Sequence, residues 1–234
     1  MQIGILGGTG PAGSALGARL ASVGYDVIIG SRSKYRAMEV VDRLNDRWAD
    51  RHLGITAGEN ATAATADVVV IATPWDGAYG TATSVLPALD GKVVICMANA
   101  LTRIGKEFQP LVPPRGSVAA SVQAAVPRCQ VAASFHHVPA KELGDIDHPI
   151  ESDVLICSDF PRATEVTSEI VARVPNLRPL DAGGLSQATP IESFTAVLLQ
   201  LNVRYKTRVG VKFTGIADGD APTGPDAAPA DGPQ

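Results

Sequence analysis

Apolar runs alternate with amphipathic segments along most of this 234-residue chain. The apolar runs predict strands, and the continuous β-branched stretch at residues 67–72 is typical of a strand buried on both faces. The predicted strands cover residues 3–6, 26–30, 67–72, 92–97, 130–134, 154–157 and 177–180. Helical spacing predicts helices at residues 14–23, 33–48, 62–66, 78–86, 117–125, 162–173 and 190–202. This alternation predicts an α/β fold with a doubly wound parallel sheet and right-handed crossovers.

The pattern changes twice further along the chain. Dense prolines at residues 110–115 interrupt the alternation, which resumes in smaller units after Pro139. We therefore expect a first domain at residues 1–139 and a small α/β C-terminal domain at residues 140–214. From residue 218 onward no hydrophobe is larger than alanine, so the chain cannot bury enough surface to offset its ordering entropy. Residues 215–234 are expected to form a disordered tail.

Composition narrows the class of partner. The chain is 45% hydrophobic with a net charge of −4 and has no long basic stripe, which argues against nucleic acid. No apolar run approaches the roughly 20 residues that a membrane span needs. Cys96, Cys129 and Cys157 are widely spaced and form neither a disulfide framework nor a C-x-x-C pair. We therefore expect a cytoplasmic protein whose partners are small molecules.

A glycine-rich turn directly follows the first predicted strand. Residues 7–13 read Gly-Gly-Thr-Gly-Pro-Ala-Gly and lead into a predicted helix, the setting in which G-x-G-x-x-G indicates a dinucleotide site. Gly8 permits the tight turn, Gly10 lets backbone N–H groups approach a pyrophosphate, and Gly13 lets the helix pack closely on the strand. The helix N-terminus adds N–H donors and partial positive charge. The first domain is therefore predicted to be a Rossmann domain.

The end of the second predicted strand distinguishes between the nicotinamide dinucleotides. A fold that prefers NAD usually has an acidic residue here, whereas this chain has Gly30-Ser31-Arg32, followed by Lys34 and Arg36. Arginine binds a phosphate with a planar fork, and serine adds a hydroxyl donor. Positive charge at a helix N-terminus is unfavourable unless an anion binds there. The segment therefore favours NADP(H) over a merely solvated helix start.

Two further segments fall at the carboxyl edge of the predicted sheet, where ligands bind in such folds. They are residues 72–76, which read Ala-Thr-Pro-Trp-Asp, and residues 98–101 after the next strand. Trp75 could cover the ribose or the nicotinamide, or it could close the core with its indole N–H at the surface. The local sequence leaves both interpretations open.

Residues for acid–base or metal chemistry are sparse. His136 and His137 are adjacent and would point to opposite faces of a strand, an arrangement that rarely makes one metal site, so no metal is predicted. We expect one of the two in the core, while the other could line a cofactor cleft. Oxidation of an alcohol needs a general base, whereas hydride exchange between two cofactors needs mainly stacking and orientation. The sparse inventory favours a second cofactor over an alcohol substrate.

Five segments together carry a family resemblance. They are residues 7–13, Gly30-Ser31-Arg32, Thr73-Pro74-Trp75, Phe135-His136-His137-Val138-Pro139-Ala140 and Leu180-Asp181-Ala182-Gly183. In this order and spacing they resemble the NADPH-dependent coenzyme F420 reductases (F420H2:NADP+ oxidoreductases) of archaea and actinobacteria. The resemblance implies a Rossmann domain with a small C-terminal domain and the deazaflavin F420 between them. It also implies reversible hydride transfer between C5 of the deazaflavin and C4 of the nicotinamide.

The resemblance also implies residues that bind NADP(H) and the co-substrate F420. It places the pyrophosphate on the glycine turn, and the 2′-phosphate on Thr9, Ser31 and Arg32 with Arg36 nearby. It assigns four residues to the nicotinamide half and one, Val209, to the deazaflavin. No catalytic group is expected beyond those that orient the cofactors, with His136 as the one candidate. The predicted cofactor-binding residues are Thr9, Gly10, Pro11, Ala12, Gly13, Ser31, Arg32, Arg36, Trp75, Tyr79, Leu101, Ala140 and Val209.

Two other functions remain open from the residues. An NADPH-dependent reductase of a flavin, a quinone or a ferric chelate could use the same architecture, because a fold does not determine its acceptor. A non-enzymatic NADP(H) sensor would keep the nucleotide site but have a closed second cleft. Phe194, Val197, Leu198 and Leu201 form an apolar stripe that could serve a homodimer, although core packing is the commoner use of such a stripe.

Overall fold

The structure is a computed structural model that describes residues 1–217 and residue 219. The rest of the predicted tail lies outside the described residues. The strands are β1 (Gln2–Leu6), β2 (Asp26–Ser31), β3 (Ile55–Glu59), β4 (Val68–Ile71), β5 (Val93–Cys96), β6 (Leu101–Ile104), β7 (Glu107–Pro110), β8 (Gln130–Ala133), β9 (Ser152–Ser158) and β10 (Leu177–Asp181). The helices are α1 (Pro11–Ser22), α2 (Lys34–Arg47), α3 (Asn60–Ala63), α4 (Trp75–Ser84), α5 (Leu86–Leu89), α6 (Val118–Ala125), α7 (Ala140–Leu143), α8 (Pro161–Ala172) and α9 (Ala188–Tyr205).

Eight strands form one sheet in the order β10-β9-β8-β5-β4-β1-β2-β3. From β1 the chain moves outward through β2 and β3, then crosses back to β4 and continues through β5 and β8. The neighbouring strands are parallel except at the β8–β9 pair. The predicted doubly wound α/β fold is confirmed. Its topological switch point, where a dinucleotide binds in folds of this kind, lies between β1 and β4.

The sequence predicted a parallel sheet, and strand β9, which falls within the predicted C-terminal domain, adds to that sheet antiparallel to β8. Ala132 pairs with Ser158, and Ala133 pairs with Cys157. A parallel connection needs a crossover over the sheet face, usually an α-helix. The chain instead leaves β8 at the carboxyl edge, passes through the four-residue helix α7 and enters β9 from that same edge. Because β9 and β10 extend the sheet, the predicted domain boundary at residue 139 divides one continuous sheet, and it stays a prediction.

The core consists of two apolar layers, one on each face of the sheet. Side chains alternate along a strand, so Ile28 and Ile29 of β2 face opposite layers. One layer contains Leu16 and Leu20 of α1 packed with Ile5 of β1. Burial of each such side chain contributes about 1.5–3 kcal/mol to folding. This packing fixes α1 against the sheet with its N-terminus at the carboxyl edge.

The three strands that the sequence did not predict bury few large side chains. Strand β3 has one large apolar side chain, Ile55, which is buried, and two of its five positions are exposed. The hairpin of β6 and β7 has mostly exposed residues. Helix α1 begins at Pro11, three residues before the predicted start, because proline is well tolerated in the first turn. Within the described part of the chain, no helix has the length and apolar character needed to cross a membrane.

Candidate dinucleotide-binding site

The chain after β1 turns sharply and enters α1 at once. Gly7 has a φ of +70°, and the N–H of Gly8 donates to the carbonyls of Ile5 (3.2 Å) and Gly30 (2.9 Å). Gly10 is the N-cap, and no side chain of the described residues caps this helix. The N–H groups of the first turn are therefore available to an anion, and the helix dipole favours negative charge there.

Glycine serves different purposes at three positions of this loop. A Cβ at Gly7 would lie 2.4 Å from Cγ2 of Thr73, and one at Gly13 would lie 2.8 Å from Cα of Gly8. These two positions allow close packing. At Gly10 the nearest protein atom would be 3.7 Å from the added Cβ, so packing does not exclude a side chain. A side chain there would occupy the space in front of the helix, where a pyrophosphate must approach the backbone.

A cleft of about 1050 Å³ opens at the carboxyl edge of β1, β2 and β4. It lies over the switch point and is large enough for a substantial part of a dinucleotide. Five of the predicted residues line it, namely Thr9, Gly10, Ser31, Arg32 and Arg36. Pro11, Ala12 and Gly13 form the first turn of α1 beside it. The structure therefore brings the predicted phosphate-binding residues together.

One end of the cleft carries the groups suited to a phosphate monoester. Ser31 ends β2 and is buried, and its Oγ accepts the N–H of Ser33 (3.2 Å), which leaves the hydroxyl proton available to a ligand. Arg32 and Arg36 are exposed on the cleft wall, and the first turn of α2 contains no acidic residue. Two guanidinium groups beside a hydroxyl can bind a phosphate through charge-assisted hydrogen bonds.

Among the cleft residues that were not predicted, two have side chains that bear on the site. Asn60 begins α3, lines the cleft, and accepts the N–H of Gly7 at its Oδ1 (3.2 Å), so it holds the glycine loop in place. No local motif marks Asn60, because it follows the unpredicted strand β3. Arg43 also lines the cleft, two turns after Arg36 on the same face of α2. Its spacing of seven residues from Arg36 is a signal that could have identified it.

The predicted nicotinamide and deazaflavin residues lie outside this cleft. Trp75 and Tyr79 are one turn apart on α4, with 36% and 54% of their surfaces exposed. Leu101 begins β6 and Ala140 begins α7, and both are half-buried. Val209 is half-buried in the segment that follows α9. The predicted residues thus fall into a phosphate-binding set inside the cleft and a second set beyond it.

The histidine pair lies in a turn after β8, and both side chains are buried. Burial lowers the pKa of His136 to about 3, so its ring is neutral. Its Nε2 lies 3.8 Å from Oε1 of Glu192, whose carboxylate accepts the N–H groups of Val118 (2.9 Å) and Ala119 (3.1 Å). Burial raises the pKa of Glu192 to about 7. His137 Nε2 contacts the carbonyl oxygen of Asp153 at 2.8 Å. The role of His136 at a cofactor stays a prediction.

Comparison with known proteins identifies relatives of this chain. Residues 2–100 match the family model described as NADP oxidoreductase, coenzyme F420-dependent. The F420-dependent NADP reductase of Methanocaldococcus jannaschii is 34% identical over 222 residues, which cover 92% of this chain and 99% of that relative. The enzyme of the same name from Methanothermobacter marburgensis is 32% identical and covers 93% of this chain and all of that relative.

A solved structure shares the fold. The crystal structure of a putative F420-dependent NADP reductase from an Arthrobacter species superimposes with a TM-score of 0.77 at 21% identity, covering 91% of this chain and 99% of the other. The sequence matches extend over nearly the full length of both chains, and the loop, the cleft and the phosphate-binding residues lie within the matched region. The chain belongs to the family of F420-dependent NADP reductases.

Proposed function

We propose that this chain catalyses reversible hydride transfer between NADP(H) and the deazaflavin coenzyme F420. The observation that carries the proposal is the phosphate site formed by Ser31, Arg32 and Arg36 beside the glycine loop. It fits the 2′-phosphate that distinguishes NADP from NAD. Membership of the F420-dependent NADP reductase family supports F420 as the second cofactor.

From the shape of the cleft we assign each part of NADPH to a region of the sheet. The N–H groups at the start of α1 receive the pyrophosphate, and Arg32 and Arg36 bind the 2′-phosphate. Because the adenosine half then lies over β1 and β2, the nicotinamide extends over the ends of β4, β5 and β8. Trp75, Tyr79 and Ala140 stand on that side, where we assign them to the nicotinamide.

The reaction itself needs positioning more than proton transfer. When bound, F420 supplies a C5 that accepts a hydride, and with one proton from water NADPH and F420 become NADP+ and reduced F420. Leu101 and Val209 complete the walls that we assign to the two rings. The neutral, buried His136 is not required to move a proton in this scheme. Orientation of two bound rings can supply most of the rate acceleration.

A comparison of electron acceptors tests this function. We expect the purified chain to oxidise NADPH when F420 is added, with a distinctly lower kcat/KM for NADH because the 2′-phosphate contacts are lost. Absorbance in the NADPH and F420 bands measures both substrates at once. Faster turnover with FMN, a quinone or a ferric chelate would support a different reductase. Tight NADPH binding without turnover of any acceptor would support a sensor.

We also propose that the protein works in the cytoplasm as a homodimer. Cys96, Cys129 and Cys157 are free and buried, which suits a reducing compartment. The apolar stripe on α9 is divided between core and surface. Leu198 is buried, whereas Phe194 and Val197 are 36% and 51% exposed. The exposed pair is the part of the stripe that a second copy could cover.

A further inference from the structure

Arg19, in the last turn of α1, is buried with only 3% of its surface exposed. Its guanidinium donates to five backbone carbonyls of a single segment, residues 140–148. The acceptors are the carbonyls of Leu143 (3.1 Å, from Nε), Ile146 (3.5 Å, from Nη1), and Glu142 (2.9 Å), Asp145 (2.5 Å) and His148 (3.0 Å, all from Nη2). A buried guanidinium is costly unless its five donors find partners. Arg19 thus binds this segment through its backbone carbonyls.

The 140–148 segment begins at the cofactor edge of the sheet. It follows the turn after β8, where the carbonyl of His136 accepts the side-chain N–H of Asn99 (3.0 Å). Asn99 itself follows β5, so this turn is fixed to the carboxyl edge. Ala140, the first residue of the segment, packs against the same core layer as Ala12 in the first turn of α1. Because α7 packs on α1, the segment starts against the helix whose N-terminus we assign to the pyrophosphate.

Helix α1 is a rigid link between the pyrophosphate-binding loop and the 140–148 segment. Arg19 lies eight residues after Pro11, about 12 Å along the helix axis. Between them, α7 packs so closely on α1 that a Cβ at Gly144 would lie 3.2 Å from Cβ of Ala15. Arg19 is the contact that continues this packing to the end of the segment.

Two other arginines reach the segment from outside. Arg51 pairs with Asp147, and Nη1 of Arg208 lies 2.6 Å from Oε1 of Glu142. Both pairs are substantially exposed to solvent, where ion pairs contribute little to stability. Arg19 is therefore the buried anchor, and the other two are peripheral supports.

We propose that Arg19 is a positioning residue for hydride transfer, which couples the pyrophosphate-binding helix to the segment that begins with Ala140. The inference rests on the proposed function, because it places Ala140 beside the nicotinamide. A displacement of about 1 Å at a reacting centre can reduce a rate about a hundredfold. Arg19 is the buried side chain that donates to the carbonyls of this segment, so the position of the segment depends on the planar guanidinium of Arg19.

The substitution Arg19→Lys tests whether the planar guanidinium of Arg19 is needed. Lysine keeps the charge but offers a point charge with three donors, which cannot serve five carbonyls. We expect kcat with F420 to fall about tenfold or more, while KM for NADPH changes less than about threefold. The primary isotope effect with NADPH deuterated at the transferred position should increase, because the hydride step becomes more rate-limiting. A purely structural role would lower the melting temperature without this pattern.

Arg173→Lys is the matched control. Arg173 also donates to a backbone carbonyl, with its Nε 2.9 Å from the oxygen of Val23, the C-cap residue of α1 one turn after Arg19. Among the described residues, no hydrogen bond or ion pair joins Arg173 to the 140–148 segment. We expect Arg173→Lys to keep both kcat and the isotope effect of the wild type. Equal effects of the two substitutions would overturn the proposal.

Gly144→Ala provides a second variant that keeps Arg19. Gly144 has a φ of −80°, which alanine adopts freely, and the new Cβ would sit 3.2 Å from Ala15. The segment must shift by a few tenths of an ångström. We expect a reduced kcat with an unchanged KM for NADPH. If Arg19→Lys fails to fold, this variant still tests whether the position of the segment controls hydride transfer. A kcat and an isotope effect equal to those of the wild type in Gly144→Ala would then overturn the proposal.

Hydrogen exchange supplies a readout that needs no F420. We expect NADP+ to slow amide exchange in the glycine loop and in residues 140–148 of the wild type. In Arg19→Lys the glycine loop should remain protected, while protection of residues 140–148 is lost. Equal protection in both proteins would overturn the coupling. If the wild type fails to reduce F420, the proposed function fails, and the exchange experiment still tests Arg19.

Discussion

At the scale of single residues, Arg32 has the most specific assignment in the cleft. It lies exposed on the wall beside Ser31, where the 2′-phosphate distinguishes NADPH from NADH. We expect Arg32→Ala to raise KM for NADPH about ten- to a hundredfold, because a charge-assisted contact is lost. KM for NADH should change little. Steady-state kinetics with both dinucleotides measures the difference.

Arg47→Ala serves as the control for that prediction. Arg47 is an exposed arginine on the same helix, and its guanidinium lies over the ring of Trp48, 4.7 Å from the centroid. The substitution Arg47→Ala should alter neither KM for NADPH nor KM for NADH. If Arg32→Ala changed KM for NADPH and NADH equally, Arg32 would be only a surface charge.

The residues that sequence could identify are those whose role is local. A strand–turn–helix context determines the backbone and side-chain directions of Thr9, Ser31 and Arg32. Asn60 has a role only because its Oδ1 meets the N–H of Gly7, more than fifty residues away in the chain. Contacts of this kind depend on tertiary packing, which a single sequence does not show.

At the scale of elements, the segment after α9 is attached to β9 at Ser152 and Asp153. Asp153 is fully buried, and Arg178 donates to both of its oxygens, at 2.8 Å and 2.7 Å. The N–H of Phe213 donates to Oδ2 of Asp153 at 2.6 Å, and the carbonyl of Val211 accepts the N–H of Asp153 at 2.6 Å. This segment begins with Val209, which we assign to the deazaflavin.

The stability of that attachment should depend on pH. Burial by itself would raise the pKa of Asp153, but the hydrogen bonds from Arg178 and Phe213 outweigh it and hold the pKa below its ordinary value of 3.8. The resulting stabilisation is present above the pKa of the unfolded chain and is lost as the pH falls through the pKa of the folded chain. We therefore expect the wild-type free energy of unfolding to decrease below about pH 4.

The substitution Asp153→Asn measures the contribution of the Asp153 carboxylate to the free energy of unfolding. Loss of one partner of a buried ion pair should lower the free energy of unfolding at neutral pH by about 3 kcal/mol or more. The variant should then lose less stability than the wild type on acidification. Urea unfolding across the acid range measures both curves, and parallel curves would show that Asp153 does not titrate in this way.

Strands whose side chains are deeply buried could be predicted from the sequence. Strands β1, β4, β5 and β8 lie within a residue or two of their predicted limits, because each is a continuous apolar run between two helix layers. Strand β3 and the hairpin of β6 and β7 bury few large side chains and have no such run. The direction of β9 depends on the path of residues 134–151, which hydrophobic periodicity does not encode.

At the scale of the whole molecule, α9 and the neighbouring hairpin carry exposed apolar side chains. Phe194 and Val197 project from α9, and the hairpin that packs beside this helix carries Ile104, which is 59% exposed. The N–H of Phe108 in the hairpin donates to Oε1 of Gln200 on α9 (3.4 Å), so the two elements form one surface. Helices cover both faces of the sheet elsewhere, and this surface is where a second copy would bury apolar area.

A charge at the centre of this surface tests the homodimer. A stable interface typically buries about 800 Å² per partner and excludes unpaired charges from its core. We expect Val197→Glu to halve the molar mass measured by light scattering while leaving the melting temperature of the monomer fold near that of the wild type. Val203→Glu is the control, because Val203 is 46% exposed on another face of α9. Dissociation by both substitutions, or a monomeric wild type at every concentration, would contradict an interface at this face of α9.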